Sequence, residues 1–383
     1  MSEGKIENPR AEIDAVDGEL LRLLNKRADI ALRVGAAKTS VDASLCDPAR
    51  EREVLARLKR ENPGPFDDRS IDSIFQRIID ESLSLQQRTF HKPHDAGTAR
   101  TPKLEDRSRV AFLGERGSFS EEAALGVLGD DCQTISMPTF ETLFAAIENG
   151  QADYVLAPLE NSLIGSVHRC VDLLLESSLH IIAEVILPVS HCLIACEGAT
   201  IDSIKSVESH PAALGQCTRF FSAYPYIKKV AGDDTAGSVR RAIESGDITR
   251  AGIGSKRTAE LYGGKILREH LEDNSENYTR FALLSAQPES KLSGNKVSLV
   301  VRLKNQPGAL HNALRPFVRR GLDLSKIESL PIRETPGEFN FYLDVQTPGN
   351  LVELDGALDE LRDYAVEVRY LGRYSTVDLK SDI

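Results

Sequence analysis

Apolar positions in residues 8 to 88 recur with a helical period. Ile13, Val16, Leu20, Leu23, Leu24, Ile30 and Val34 form one stripe, with successive spacings of three, four, three, one, six and four residues. Asn8 and Pro9 read as a cap and a first-turn proline, and the pattern runs to about Lys38. Asp47-Pro48 opens a second helix in the same way, and ENPGPFDD breaks it. A third helix carries Ile71, Ile74, Phe75, Ile78 and Ile79. Residues 91–108, HKPHDAGTARTPKLEDRS, have almost no apolar side chains and read as a linker.

From Val110 the texture changes. VAFLG, YVLAP and HIIAEVILPVSHCLIA have the apolar runs of buried strands, and SFSEEAALGVL and VHRCVDLLLES alternate with them as helices. This predicts an α/β region with a parallel-rich sheet, reaching about Ala286. From Lys296 the order becomes strand, helix, strand, strand, helix, strand, which predicts a ferredoxin-like α+β module. The expected limits are 1–90 for the helical domain, 91–108 for the linker, 109–286 for the α/β domain and 295–376 for the last module. No catalytic constellation stands out in the last.

Composition narrows the function. The chain has 383 residues, 41% hydrophobic and 27% charged, as in a globular protein of two or three domains. No apolar run is long enough to span a membrane, and the polar start MSEGKIENPRAEID lacks an apolar signal core, so a cytoplasmic protein is expected. A net charge of -11 argues against nonspecific nucleic-acid binding but leaves room for a locally basic pocket. The six cysteines contain no CxxC pair and the eight histidines no HExxH, so neither a disulfide frame nor a zinc site is expected.

The candidate chemistry falls in two places. On the first helix Arg27 and Lys38 lie about three turns apart and share a face, whereas Arg10 lies roughly 25 Å from Arg27 along the same axis. Arg10 therefore cannot reach a small ligand held by Arg27 of its own helix. Asp47, Arg50 and Glu51 sit on the turn that opens the second helix, where Asp47 also reads as a plain N-cap. Ser82 and Gln86 share a face of the third. In the α/β region, YVLAP delivers the chain into Glu160, Asn161, Ser162 and Gly165, and ligands bind at such strand ends. Ser118 and Glu121 have capping-box spacing.

The ordered set R-x16-R-x10-K, D-x2-RE and S-x3-Q resembles the helical chorismate mutase domain over nearly all of residues 8–88. In that family two chains interlock through the long first helix, so Arg10 is expected in the partner's pocket. The resemblance implies that Arg10, Arg27 and Arg50 clamp the substrate carboxylates. Lys38 and Gln86 would donate to the ether oxygen, Glu51 would hold the ring hydroxyl, and Asp47 and Ser82 would line the pocket. The rearrangement is intramolecular and needs no cofactor or metal.

PLENSLIGSV, VESHPAALGQC, DDTAGSVRRA, AGIGSKRTAELYG and NYTRF, in that order, resemble the prephenate dehydratase domain over about residues 109–286. The implied fold has two α/β lobes like a periplasmic binding protein, with the ligand in the cleft. Glu160, Asn161 and Thr279 are the implied catalytic groups, with Thr279 acting at the ring hydroxyl either by hydrogen-bond donation or by relay from a group such as Glu160. Ser162, Gly165, Ser209, Gln216 and Arg280 are the implied substrate contacts, with Arg280 as carboxylate partner. Ser209 also reads as the cap of a helix opened by His210-Pro211, and Phe281 as core. Ala212, Gly215 and Gly264 depart from the usual pattern without removing a catalytic group.

PGALHNAL and KIESLP resemble the regulatory ACT module of these dehydratases. That implies phenylalanine as effector, near Gly308, Ala309, Leu310, Glu328 and Ser329, between paired subunits. Leu330 stands where the motif has arginine, which leaves sensing weakened. The expectation is a bifunctional enzyme converting chorismate to prephenate and prephenate to phenylpyruvate, working as a homodimer or larger homo-oligomer. Two rivals stay open: an arogenate dehydratase carrying a mutase domain, and a non-catalytic amino-acid sensor.

Overall fold

Three helices open the chain: α1 (Gly4–Ser40), α2 (Pro48–Glu61) and α3 (Asp68–Phe90). In this computed structural model the described residues are 4–40, 44–90, 108–129, 131–288, 294–332, 335, 337–347 and 351–379. The expected linker lies outside them except for Ser108. α1 begins before Asn8, and Pro9 falls inside it rather than in its first turn. So near the start, a proline removes little of the hydrogen-bond ladder. With 37 residues, α1 is about 55 Å long. It meets α3 where Gly35 lies against Gln86 and Phe90. Towards its start the apolar stripe is uncovered, with Ile13 and Val16 each 58% exposed. α2 starts as expected: Asp47 Oδ1 accepts from the Arg50 amide at 3.0 Å, and Pro48 follows.

The α/β region forms two sheets. Its elements are β1 (Arg109–Leu113), α4 (Phe119–Leu128), β2 (Gln133–Met137), α5 (Phe140–Ala145), β3 (Tyr154–Asn161), β4 (Gly165–Ser166), α6 (His168–Glu176), β5 (His180–Pro188), β6 (Cys192–Ala195), β7 (Ser206–Ser209), α7 (Pro211–Gly215), α8 (Thr218–Ala223), β8 (Lys228–Ala231), α9 (Thr235–Glu244), β9 (Arg250–Gly254), α10 (Lys256–Tyr262), β10 (Lys265–Arg268) and β11 (Tyr278–Ser285). The second sheet has the order β10-β6-β9-β7-β8. It is built wholly between β5 and β11, so the second lobe is an insertion in the first. β11 then re-enters between β3 and β5, antiparallel to both. This corrects the parallel-rich expectation. The β1–β2, β1–β3, β7–β8 and β7–β9 pairs are parallel, but β6 and β11 run against their neighbours. Apolar runs locate strands but do not carry their direction.

The ferredoxin-like module consists of β12 (Lys296–Leu303), α11 (Ala309–Val318), β13 (Leu324–Pro331), β14 (Phe339–Gln346), α12 (Leu351–Arg362) and β15 (Ala365–Tyr374). Its sheet order, β13-β14-β12-β15, is the one that topology requires. A last strand, β16 (Thr376–Asp378), pairs in parallel with β5 and completes the first sheet as β16-β5-β11-β3-β1-β2, with β4 on β3. Compactness groups α1–α3 with Leu299–Tyr370 in one unit, and Gly97–Ser298 with Leu371–Ile383 in the other.

Candidate active sites

In the helical unit, α1 and α3 bring several expected residues together. Arg27 Nη1 donates to Ser82 Oγ at 2.5 Å and to the Ile78 carbonyl at 3.3 Å. Gln86 is buried and its Nε2 donates to the Ala31 carbonyl at 2.5 Å. Lys38 Nζ donates to the Leu45 carbonyl at 2.9 Å, on the segment leading into α2. Burial lowers the Arg27 pKa, and the charge of Glu51 opposes that shift. Arg50 and Arg10 do not join this group. Arg50 is exposed and paired with Glu53 at 2.6 Å, and Arg10 lies on the uncovered part of α1.

Glu51 has a partner that the sequence did not reveal. The Arg319 guanidinium, at the end of α11, binds its carboxylate directly. Arg319 also contacts Asp80 and Glu360, each at 3.2 Å. Burial pushes the Glu51 carboxyl above the ordinary carboxylate range, and Arg319 opposes this. The only sequence signal was the arginine pair in FVRRG, which looks like an ordinary basic helix end.

The cleft of the α/β unit depends on one strand pair. In the β3–β11 ladder, Thr279 lies opposite Asn161 and Arg280 opposite Glu160. The strand therefore runs through Glu160 and Asn161 instead of ending before them, and Gly165 lies on the returning β4. Asn161 Nδ2 donates to Thr279 Oγ1 at 3.1 Å and to Asn277 Oδ1 at 2.9 Å. Its Oδ1 accepts from Gln216 Nε2 at 3.4 Å, which joins the two lobes. Gln216 Oε1 in turn accepts from Asn277 Nδ2 at 3.1 Å and pairs with His191 Nε2 at 2.9 Å. Sequence reasoning had missed His191, and had met Asn277 only inside the NYTRF motif.

Strand alternation corrects two expectations, and local hydrogen bonding corrects three more. Neighbouring residues leave a strand on opposite faces. Glu160 and Arg280 therefore leave on the face away from Asn161 and Thr279. Arg280 is buried, with its guanidinium 3.4 Å from Glu160 and 3.7 Å from Glu184. This geometry favours neither a substrate contact for Arg280 nor a relay from Glu160 to Thr279. Ser209 is fully buried and donates to the Ile253 carbonyl at 2.7 Å; His210, not Ser209, caps α7. Ser162 is spent on its turn, donating to the Glu276 carbonyl and accepting from the Tyr278 amide. Ser118 caps α4, but Glu121 reaches the Gly117 amide, so the expected capping box is half formed.

In the ferredoxin-like module, Gly308 caps α11 in the left-handed region, φ 81°, with Ala309 and Leu310 opening the helix. That conformation suits glycine. Glu328 and Ser329 lie on β13, where Glu328 pairs with Lys326 at 3.2 Å. Leu330 is buried, packing where an arginine would need polar partners. Among the described residues no group of His, Cys, Asp or Glu could hold a metal ion, and no helix is long and apolar enough to cross a membrane.

Comparison with known proteins places these features among relatives. The family model for chorismate mutase type II matches residues 9–87, and that for prephenate dehydratase matches residues 110–289. The bifunctional chorismate mutase/prephenate dehydratase of Neisseria gonorrhoeae is 32% identical over 371 residues, covering 97% of this chain and 97% of that protein. The solved prephenate dehydratase from Arthrobacter aurescens, in complex with L-Phe, is 31% identical with a TM-score of 0.64, covering 70% of this chain and 90% of that one. GqqA, described as a novel type of quorum quenching acylase, is 30% identical with a TM-score of 0.64, covering 70% of this chain and 98% of that one. One fold thus carries differently described activities, and function has to be argued from the site residues.

The His191 environment gives a testable pH dependence. Burial holds its imidazole below the usual range, against the opposing effects of Gln216 and Glu272. Nε2 faces Gln216, the ring edge meets Phe119, and Nδ1 has no hydrogen-bond partner among the described residues. The unfolded chain binds the proton first, at about pH 6.5. Stability from this residue is therefore complete above that pH and is lost as pH falls through the lower native value. The thermal midpoint is expected to fall between pH 7 and 5, and less steeply in His191→Gln. Equal slopes in the two proteins would show that His191 does not titrate on unfolding.

Proposed function

The chain belongs to the bifunctional chorismate mutase/prephenate dehydratase family, and from that premise we propose how its residues divide the two reactions. It is a chorismate mutase and a prephenate dehydratase of phenylalanine synthesis. The mutase step needs a folded dianion and positive charge where the ether bond breaks. Arg27, beside Ser82, holds a carboxylate, and Lys38 and Gln86 carry the donor nitrogens for the ether oxygen. Glu51 takes the ring hydroxyl while the Arg319 pairing opposes the upward shift that burial imposes on its carboxyl. Arg10 acts in the pocket of a second chain. The exposed stripe of α1 supports a homodimer, since packing two such helices removes that apolar surface from water.

The Asn161–Thr279 hydrogen bond carries the dehydratase reading. Because Thr279 Oγ1 accepts from Asn161, its own proton is directed to another acceptor, the departing ring hydroxyl. Prephenate dianion plus one proton gives phenylpyruvate, carbon dioxide and water. The carboxylate electrons enter the ring as carbon dioxide leaves, and the hydroxyl departs as water. Thr279 assists by hydrogen bonding, with Asn161 holding it in place and Gln216 holding Asn161. The reaction needs no cofactor, and the enzyme works in the cytoplasm. The last module is an ACT module that senses phenylalanine. Its support is the left-handed Gly308 turn, together with the L-Phe complex of the relative from Arthrobacter aurescens.

Paired variants test the division of labour. Arg27→Ala is expected to lose most mutase activity and keep dehydratase activity on added prephenate. Thr279→Ala is expected to do the reverse, with turnover down on the order of 100-fold. If both activities fall together in folded variants, the assignment fails. Mixing Arg10→Ala with Arg27→Ala chains should restore part of the mutase rate, because one pocket of each mixed dimer is intact. No recovery after confirmed mixing would refute the shared pocket. Phenylalanine should lower dehydratase turnover of the wild type and act more weakly on Gly308→Val. A flat wild-type curve up to millimolar phenylalanine would leave the module without a sensing role.

A further inference from the structure

A line of buried charge runs behind the catalytic strand pair. Lys296 Nζ lies 2.6 Å from Glu184 Oε2, the same oxygen lies 3.7 Å from Arg280 Nη1, and Arg280 Nη2 lies 3.4 Å from Glu160 Oε2. Lys296, Glu184 and Arg280 are each no more than 7% exposed. The charges alternate in sign along the line. Its outer members, Glu160 and Arg280, are the chain neighbours of Asn161 and Thr279 and lie opposite each other in the ladder. On the β3 side the ladder shifts register between Arg280 and Phe281, whereas β5 pairs with β11 without a break from Tyr278 to Leu283, so the ion line lies at the less regular edge of this end of β11.

The other end of the line joins the C-terminal strands. Lys296 is the first residue of β12. The returning chain meets β5 at the same place, where the Glu184 amide donates to the Ser375 carbonyl at 3.1 Å and Thr376 pairs with Glu184. Gly372, at φ 155°, passes so close to β5 that a Cβ there would lie 2.0 Å from the Ile181 carbonyl oxygen. Arg373 Nε donates to the Gly294 carbonyl at 2.7 Å, and Ser298 Oγ meets Tyr374 Oη at 2.5 Å. The strand that leaves the dehydratase sheet and the strand that returns are thus fastened to each other and to Glu184.

We propose that Glu184 and Lys296 are positioning residues of the dehydratase, which act through Arg280 to fix the end of β11 and so the place of Thr279. This rests on the reading of Thr279 as the hydroxyl-assisting group. Removing one member of a buried ion line leaves the next charge uncompensated. Without Lys296, Glu184 draws Arg280 along the sheet, away from Glu160. A shift of about 1 Å in a catalytic group is enough to cost on the order of 100-fold in rate. The effect falls on turnover more than on substrate binding, because the line lies on the face away from the cleft.

The test is steady-state kinetics on prephenate in the full-length protein. Lys296→Met is expected to lower kcat by about 10- to 100-fold with KM within about threefold. Lys296→Arg should recover most of the rate. The double variant Glu184→Gln/Lys296→Met, which leaves no orphan charge, should be faster than Lys296→Met and keeps the test open should the single variant fold poorly. Mutase rates should stay at the wild-type level. Wild-type kcat in folded Lys296→Met, or a double variant slower than the single one, would overturn the proposal. Thr279→Ala, run alongside, separates the failures. If it is inactive while Lys296→Met is normal, only the charge line falls. If it is normal, the reading of Thr279 falls and the proposal with it.

Discussion

Asn161 and Thr279 are 118 positions apart, and they meet because β11 runs back between β3 and β5 in one register. That register is set by packing. Phe281, Leu283, Val185 and Leu187 share a core with Ala123, Ala124 and Val127 of α4. Slipping β11 by one residue would send Phe281 and Leu283 to the other face. It would also turn Arg280 into the cleft and Thr279 out of it. The apolar residues that hold the sheet on its helix therefore also decide which polar residues share the face of Asn161 and Thr279. The second lobe adds Gln216 to the same group, so the network also ties the two lobes together.

In the helical unit the decisive groups are charges brought out of water. Arg27 and Glu51 are both partly buried, and burial shifts each towards its neutral form. The charge of Glu51 opposes the shift of Arg27, and the Arg319 pairing opposes that of Glu51. Arg319 is itself surrounded by Glu51, Asp80 and Glu360. A cation with three carboxylates around it tolerates burial far better than a lone one. Glu51 is thus held by a residue from the ferredoxin-like fold, although the two segments are more than 260 residues apart in the chain.

Much of this was legible beforehand, for identifiable reasons. Helices α1–α3 and the ferredoxin-like order follow from local periodicity. The Asp47 cap and the left-handed Gly308 turn follow from residue chemistry. Asn161, Gln216 and Thr279 were found through motifs, and the structure brings them into one hydrogen-bonded group. What escaped was whatever depends on pairing between distant strands. The roles expected of Glu160 and Arg280 ignored alternation, because a motif written as TRF or ENS does not say which residues share a face. His191 and Arg319 escaped because a buried histidine and a basic helix end look ordinary until their partners are known. The long reach of β11 also made the sheet mixed where local runs suggested parallel strands.

β16 has a consequence for the architecture of the chain. Because residues after Gly372 return to pair with β5, the segment from Leu299 to Tyr370 is topologically an insert in the dehydratase and not a tail hung from its end. An appended domain can be gained or lost by moving a stop codon. An insert cannot, since any truncation within it also strips the edge strand and leaves β5 with unpaired backbone groups. A dehydratase without this module would need its two flanking strands rejoined, as in removing a loop. Gene shuffling would have to respect the same two seams, at the start of β12 and the end of β15.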